Sequence, residues 1–201
     1  MIIVAEGPSA AGKTTWCQRH VTEFVAEYLA THTEPDGSDL GAQAAYWVSV
    51  NSRRWMEALD LERRSGLGLC DSDPLKLHYS WSLARIGEAP WTRFEHELDA
   101  TRRAVAAGRL GFADLVMISI PSPAILQRQR DSDITRRRRS FDLHARLSEP
   151  LRDWYRAVDS LGPGRITWEL PPTGLPEPMP EPRSRRCSVD LLDELVAVLP
   201  F

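Results

Sequence analysis

The chain has 201 residues, a formal net charge of −3 and 26% charged residues, values typical of a soluble globular protein. This charge gives no reason to expect a nucleic-acid partner, and no apolar run approaches the ~20 residues that a membrane-spanning helix needs. The length suits one sizeable core, so a single domain over residues 1–201 is expected.

The three cysteines, Cys17, Cys70 and Cys187, are odd in number and lack metal-ligand spacing. They are therefore expected to be free thiols in a reducing compartment. Because the sequence starts directly in a strand-like run, no signal peptide is expected before the fold. Together these features predict a cytoplasmic protein.

The first 15 residues carry the most specific motif. The run MIIVA (1–5) is apolar and rich in β-branched residues, which predicts a buried strand of a parallel sheet. Gly7 to Thr14 fit G-x-x-x-x-G-K-[ST] without a mismatch, between that strand and a helix-like stretch. Gly7 and Gly12 allow the backbone N–H groups to turn toward phosphate oxygens, and the following helix directs its positive end to the same place.

This motif predicts which residues bind nucleotide. Lys13 can reach the β- and γ-phosphates of ATP and is a predicted catalytic residue, while the Thr14 hydroxyl is the predicted ligand of Mg²⁺. ATP and Mg²⁺ are therefore the expected cofactors. The nucleotide-binding residues predicted in this loop are Gly7, Ala10, Ala11, Gly12, Lys13, Thr14 and Thr15.

The next elements are read from hydrophobic spacing. Apolar residues at helical spacing predict a helix over 13–31, and the polar segment 31–39 breaks it, with a short second strand before the break as an alternative. Residues 40–65 are predicted to be mostly helical, although YWVSV (46–50) also fits a strand. The small and apolar run 66–70 predicts a second core strand.

Acidic residues follow this second strand, at the edge where open α/β sheets bind ligands. Asp73-Pro74 fits the start of a helix, with Asp as N-cap and Pro at the first position. Asp71 has no such structural role, and it follows the strand directly, where its side chain could face the glycine-rich loop. Two of the 25 basic residues, Lys13 and Lys76, are lysines, which makes Lys76 a further candidate.

Strand-like and helix-like segments alternate along the rest of the chain. This order predicts an α/β fold with three layers, a central parallel sheet between helices. Its predicted elements are a helix over 75–86, a helix opened by a Thr92–Glu95 capping box, a strand over 113–120, a helix starting at Ser122-Pro123, a strand over 165–170 and a final helix capped by Ser188.

An arginine-rich stretch, 127–146, interrupts an otherwise regular helical pattern. Such a break suits a mobile lid over phosphates, placed at about 127–140, and a plain solvated surface is the alternative. Under the lid interpretation, Arg136 and Arg138 are predicted catalytic residues and Arg128 a predicted nucleotide-binding residue.

These motifs resemble one group of small P-loop kinases. IVAEGPSAAGKTT (3–15) is similar to the first motif of thymidylate kinases. The stretch 125–155 resembles the arginine-rich lid and following helix of deoxynucleoside kinases, and 113–123 resembles the strand before that lid. Glu34-Pro35 is similar to the Glu-Pro that follows the second strand of the family.

The resemblance implies roles for particular residues. In the family an acid at the end of the third strand acts as base and is followed by an arginine that holds phosphate. Asp71 matches the acid, but Ser72 stands in place of the arginine, and Lys76 could supply the lost charge. Ser119 stands where thymidylate kinases often have aspartate. Related kinases are often dimers, so a homodimer is one expected assembly.

The predicted function is an ATP-dependent phosphotransferase with a small acceptor, which the resemblance makes a nucleoside, a nucleotide or a nucleoside-like natural product. A GTPase is disfavoured because the N-K-x-D tetrad that reads guanine is absent. Two alternatives stay open: a kinase for an antibiotic or another hydroxyl-bearing metabolite, and a non-catalytic module switched by ATP.

Overall fold

The computed structural model describes residues 1–132, 143 and 146–200. Four parallel strands form one sheet in the order β2-β1-β3-β4. Their bounds are Ile2–Glu6 (β1), Gly68–Asp71 (β2), Leu115–Ile118 (β3) and Ile166–Thr167 (β4). The strand that leads into the glycine-rich loop is therefore central, with β2 on one side and β3 on the other.

Helices cover both faces of this sheet. They are Lys13–His20 (α1), Leu40–Ser65 (α2), Leu77–Arg85 (α3), Trp91–Ala106 (α4), Pro123–Ser132 (α5), Ser148–Leu161 (α6) and Val189–Val198 (α7). Strand side chains alternate between the two faces. On one face, Ile2 and Val4 pack with α2, α3, α4, α6 and α7. On the other face, Ile3 packs with Trp16 of α1. This arrangement confirms the predicted α/β fold class.

The helix predicted over 13–31 is wrong beyond His20. Val21 is already extended, and Val25 pairs in parallel with Cys70 at the outer edge of β2. The Val25 N–H donates to Leu69 O at 2.8 Å and the Asp71 N–H donates to Val25 O at 2.8 Å. The β-branched and aromatic residues of this segment suit an extended edge, and the free backbone groups of β2 supply its partners. The alternative of a short strand here is the one the structure supports.

Other helix boundaries also differ from the sequence pattern. Thr92 lies inside α4, whose N-cap is Pro90, so the predicted capping box is wrong. The helix after β2 begins at Leu77; Asp73 instead accepts a hydrogen bond from the Leu75 N–H at 2.9 Å and closes a turn. The alternative strand at 46–50 is helical, and the final helix is capped by Ser188 as predicted.

The amino edge of the sheet is closed by a buried ionic cluster around Asp114, the residue before β3. One carboxylate oxygen accepts the Ile2 N–H at 2.7 Å, and the other accepts the Arg183 N–H at 2.7 Å. Arg186 donates to both oxygens of Asp114 and forms a bidentate pair with Glu62 at 2.7 and 2.8 Å. The cluster therefore ties the C-terminal segment to β1, β3 and α2.

Asp114→Asn is expected to lower the free energy of unfolding by about 3–5 kcal/mol, the cost of breaking a buried ion pair. The asparagine keeps the shape, but its NH₂ group would face N–H donors and the Arg186 charge would lose a partner. Urea unfolding of both proteins measures the difference, with Asp60→Asn, an exposed pair on α2, as control. A loss no larger than that of the control would contradict the role assigned to the cluster.

The described residues contain no helix long and apolar enough to cross a membrane. The three cysteines are free thiols, as predicted, with Cys17 and Cys70 buried and Cys187 exposed.

Candidate functional site

The glycine-rich loop connects β1 to α1 and contains two glycines that no other residue can easily replace. A Cβ atom at Gly7 would lie 2.2 Å from the Ser119 carbonyl oxygen at the end of β3. Gly12 has φ +84°, in the left-handed region that side chains disfavour. Ala10 also has a positive φ, +72°. The loop is therefore packed against the sheet and turned tightly, as the motif predicts.

Lys13 and Thr14 open helix α1 and point into the site. Lys13 is buried, and its Nζ donates to the carbonyl oxygens of Gly7 at 2.9 Å and Pro8 at 3.4 Å. The ammonium thus lies inside the ring of its own loop. Thr14 Oγ1 donates to Asp71 Oδ2 at 2.6 Å, which joins the loop to the carboxyl end of β2.

Asp71 is brought to the loop, as the sequence predicts. It is buried, and its Oδ1 has no hydrogen-bond partner among the described residues. Burial raises the pKa of Asp71, against the lowering effect of the hydrogen bond from Thr14. An unpartnered carboxylate oxygen next to a threonine hydroxyl is a pair of hard oxygen ligands of the kind that Mg²⁺ prefers.

Glu6, the last residue of β1, is a buried carboxylate that sequence reasoning treated only as part of the motif. Its oxygens accept the N–H groups of Gly7 at 2.8 Å and Asp73 at 2.8 Å. Burial alone would raise the pKa of Glu6, but Lys76, His78 and Lys13 hold it well below its usual value. Glu6 therefore stays ionised and fixes the loop to the segment after β2.

Glu27 is the functional candidate that the sequence analysis missed. It lies two residues after Val25, at the carboxyl end of the edge segment paired with β2, and its side chain is 30% exposed. Burial acts to raise the pKa of Glu27, but the neighbouring Lys13 and Lys76 ammonium groups lower it overall. The apolar run FVA before this acid was the available signal, hidden because the segment was predicted as helix.

The family resemblance pointed instead to Glu34-Pro35. Glu34 accepts hydrogen bonds from the Tyr28 hydroxyl at 2.7 Å and the Thr31 N–H at 2.6 Å. Glu34 thus stabilises the turn formed by residues 28–34. Of these two glutamates, Glu27 is the one whose pKa is lowered by the P-loop lysine, Lys13.

Arg54 of α2 holds the segments around the site together. Its Nε donates to Ala26 O at 3.0 Å, and one terminal nitrogen donates to Asp71 O at 2.7 Å and Ser72 O at 2.8 Å. A buried guanidinium with three carbonyl partners fixes the ends of two adjacent strands. The preceding residue on the helix, Arg53, is exposed, whereas Arg54 is buried.

The described residues include the first part of the predicted lid, residues 127–132. Helix α5 packs on the loop through Leu126 against Ala11, and Arg128 lies exposed on that helix. Arg136 and Arg138 lie outside the described residues. All three arginines therefore stay predictions.

The five aromatic side chains within residues 47–91, which could stack on a flat acceptor, form two groups. Trp55 and Trp81 are fully buried in the core. Trp47, Tyr79 and Trp91 are partly exposed and stay candidates.

The α/β fold of this chain, with the glycine-rich loop after the central strand of a parallel sheet, is similar to that of proteins of known structure. Three solved structures of deoxyadenosine kinase from M. mycoides share it. The structure with bound dATP has 16% sequence identity and a TM-score of 0.55, and covers 85% of this chain and 91% of the neighbour.

The other two structures give the same result. The one with the products dCMP and a flexible dCDP has 12% identity and a TM-score of 0.55, over 98% of this chain and 96% of the neighbour. The one with bound dCTP has 13% identity and a TM-score of 0.56, over 85% and 90%. No family model and no curated protein matches the sequence. The likeness is therefore one of fold, and it supports the deoxynucleoside kinase part of the resemblance.

Proposed function

We propose that this protein is an ATP-dependent kinase that transfers a phosphoryl group to a hydroxyl of a nucleoside-like acceptor. The observation that carries the proposal is the position of the Glu27 carboxylate. It is partly exposed, lies 3.8 Å from the Lys76 ammonium, and interacts electrostatically with Lys13 of the P-loop and with Asp71 at the end of β2. A phosphate-binding loop with an acid next to it is the arrangement that phosphoryl transfer to an alcohol needs.

On the donor side, the loop amides and Lys13 bind the phosphates of ATP. Lys13 would exchange the carbonyl oxygens of Gly7 and Pro8 for phosphate oxygens. Thr14 and Asp71 would hold Mg²⁺, which when bound neutralises charge on the phosphates. The contact between Thr14 and Asp71 favours this metal role for Asp71 over the role of base.

On the acceptor side, Glu27 accepts the proton of the attacking hydroxyl. The acceptor oxygen forms a bond to the γ-phosphorus, the bond from that phosphorus to the bridging oxygen breaks, and ADP leaves. The proton passes to the Glu27 carboxylate. Because Lys13 and Lys76 lower the pKa of Glu27, this base is ionised throughout the neutral range.

The acceptor class is supported by the fold neighbours, which are deoxyadenosine kinases with dATP, dCTP or dCMP bound. Arg128, Arg136 and Arg138 are proposed to supply further positive charge to the transferred group. Their contribution depends on the lid, of which residues 133–142 are not described.

The test is ATP turnover, measured with Mg²⁺, against a panel of acceptors. The panel holds deoxyadenosine, deoxycytidine, thymidine, thymidine monophosphate and an aminoglycoside, with a sample that lacks acceptor. We expect one or more nucleosides to give ADP and a nucleoside monophosphate in equal amounts, and little turnover without acceptor.

Other outcomes would replace the proposal. Turnover with the aminoglycoside alone would make the chain an antibiotic kinase. ATP binding without turnover on any acceptor would favour the switched module. Turnover with thymidine monophosphate alone would make the acceptor group a phosphate.

A further inference from the structure

Lys76 has a backbone conformation that lysine disfavours. Its φ is +45°, in the left-handed region, and Ser72 in the same loop has φ +68°. A non-glycine residue held in this region costs on the order of 1–3 kcal/mol, and glycine or asparagine occupies it at lower cost. Such strain persists where the surrounding structure fixes it, and it is concentrated at functional sites. The side chain of Lys76 is therefore the feature to explain.

The Lys76 ammonium lies between two carboxylates. Nζ is 3.8 Å from Glu6 Oε2 and 3.8 Å from Glu27 Oε1, and it donates to Ser72 Oγ at 3.2 Å. The side chain is 28% exposed. Glu6 already has the Gly7 and Asp73 N–H groups as partners. The Lys76 ammonium therefore stabilises both carboxylates, and among the described residues it is the cation that forms an ion pair with Glu27.

The other cations near Glu27 have different partners. Five charged groups interact with it: Lys13 from α1, Arg54 from α2, Glu6 from β1, Asp71 from β2 and Lys76 from the loop before α3. Lys13 donates to loop carbonyls, and Arg54 donates to three backbone carbonyls. Lys76 is thus the described cation that directly pairs with the Glu27 carboxylate.

We propose that Lys76 is a positioning residue for acceptor activation, which keeps the Glu27 carboxylate ionised and oriented toward the attacking hydroxyl. This inference rests on the proposed function, because it gives Glu27 the role of base. It also explains why a lysine occupies a strained backbone position. Position 72 carries a serine and supplies no positive charge, so the cation that pairs with Glu27 comes from Lys76 in the same loop.

The test compares three variants in two measurements. Lys76→Met and Lys76→Asn remove the charge, the asparagine in a form that suits the left-handed backbone, and Lys76→Arg keeps the charge. The first measurement is the titration of the Glu27 carboxyl by ¹³C NMR, assigned by its loss in Glu27→Gln. The second is the pH dependence of kcat/KM for the acceptor that the panel identifies.

The charge-removing variants are expected to raise the pKa of Glu27 by at least about 0.5 unit, since an opposite charge at this distance favours the ionised form. The acidic limb of kcat/KM should move to higher pH by the same amount, because the base is then ionised only at higher pH. Lys76→Arg should keep both values near those of the wild type.

A Glu27 titration that is the same in all four proteins would overturn the proposal. A titration that shifts while the acidic limb stays in place would also overturn it, because Lys76 would then not act through the base. Failure of the proposed function is a separate result: the wild type would turn over no acceptor, and the NMR titration would still decide whether Lys76 controls Glu27.

Discussion

Replacing Lys13 with alanine is expected to reduce phosphoryl transfer at least about 1,000-fold, because no other described group places positive charge inside the loop. The Lys13 ammonium is buried among the carbonyl oxygens of Gly7 and Pro8, so it needs only to exchange these for phosphate oxygens. The loss should fall on kcat more than on the affinity for ATP, since charge on the transferred group grows in the transition state.

The fold should survive this substitution. The Lys13 side chain bonds to its own loop and does not join the hydrophobic clusters on either face of the sheet. Circular dichroism and thermal unfolding check this point. Arg19→Ala removes one positive charge from the exposed face of the same helix and should leave activity near that of the wild type. A Lys13→Ala enzyme within tenfold of the wild type would show that the loop does not carry the chemistry.

Lys13→Arg adds a stricter test of geometry. Arginine keeps the charge, but its planar fork is larger than the compact ammonium that fits among the loop carbonyls. We expect it to lose most of the activity as well, which would separate the need for a fitted ammonium from the need for charge alone.

The sequence predicted the position of the glycine-rich loop well and the surroundings of Glu27 poorly, for a physical reason. The loop from Gly7 to Thr14 is a contiguous motif whose function depends on local backbone conformation, so the residue pattern is enough to place it. The contact between Thr14 and Asp71 was also foreseen in outline, because carboxyl ends of neighbouring parallel strands meet at one edge.

The position of Glu27 depends on the pairing of the segment around Val25 with β2, which are distant in sequence. Val25 is extended because the outer edge of β2 offers it backbone hydrogen bonds, and no local pattern records that edge. The apolar spacing of the segment fits a helix as well as a strand, and the helix assignment concealed Glu27. The role of Arg54 is equally hidden in the sequence, since only the fold shows that its position on α2 faces the end of β2 and the edge segment beside it. The roles of Glu27 and Arg54 become visible only when the residues that surround them in the fold are known.

The second large effect is expected at Glu27. Glu27→Gln should lower kcat at least about 100-fold, the range in which a general base contributes, and leave the KM for ATP nearly unchanged. The glutamine keeps the size of the side chain, and the group is partly exposed, so stability should change little. Steady-state kinetics with the acceptor and ATP varied in turn gives both constants.

Two companion variants make this result specific. Glu23→Gln removes an exposed acid four residues earlier, paired with Arg64 at 3.4 Å, and should have no effect on kcat. Asp71→Asn should instead raise the Mg²⁺ concentration needed for half-maximal activity, because Asp71 meets the Thr14 hydroxyl at 2.6 Å and keeps one oxygen without a partner.

The roles of Asp71 and Glu27 can therefore be distinguished by whether added Mg²⁺ restores the activity of each variant. Excess Mg²⁺ should recover part of the activity of Asp71→Asn and none of that of Glu27→Gln, because a metal ion can compensate a weakened ligand but cannot replace a missing proton acceptor. If Asp71→Asn loses kcat without any change in its Mg²⁺ requirement, and Glu27→Gln stays within tenfold of the wild type, the base is Asp71. The acceptor then approaches from the side of β2, and the proposed roles of Glu27 and Lys76 are both wrong.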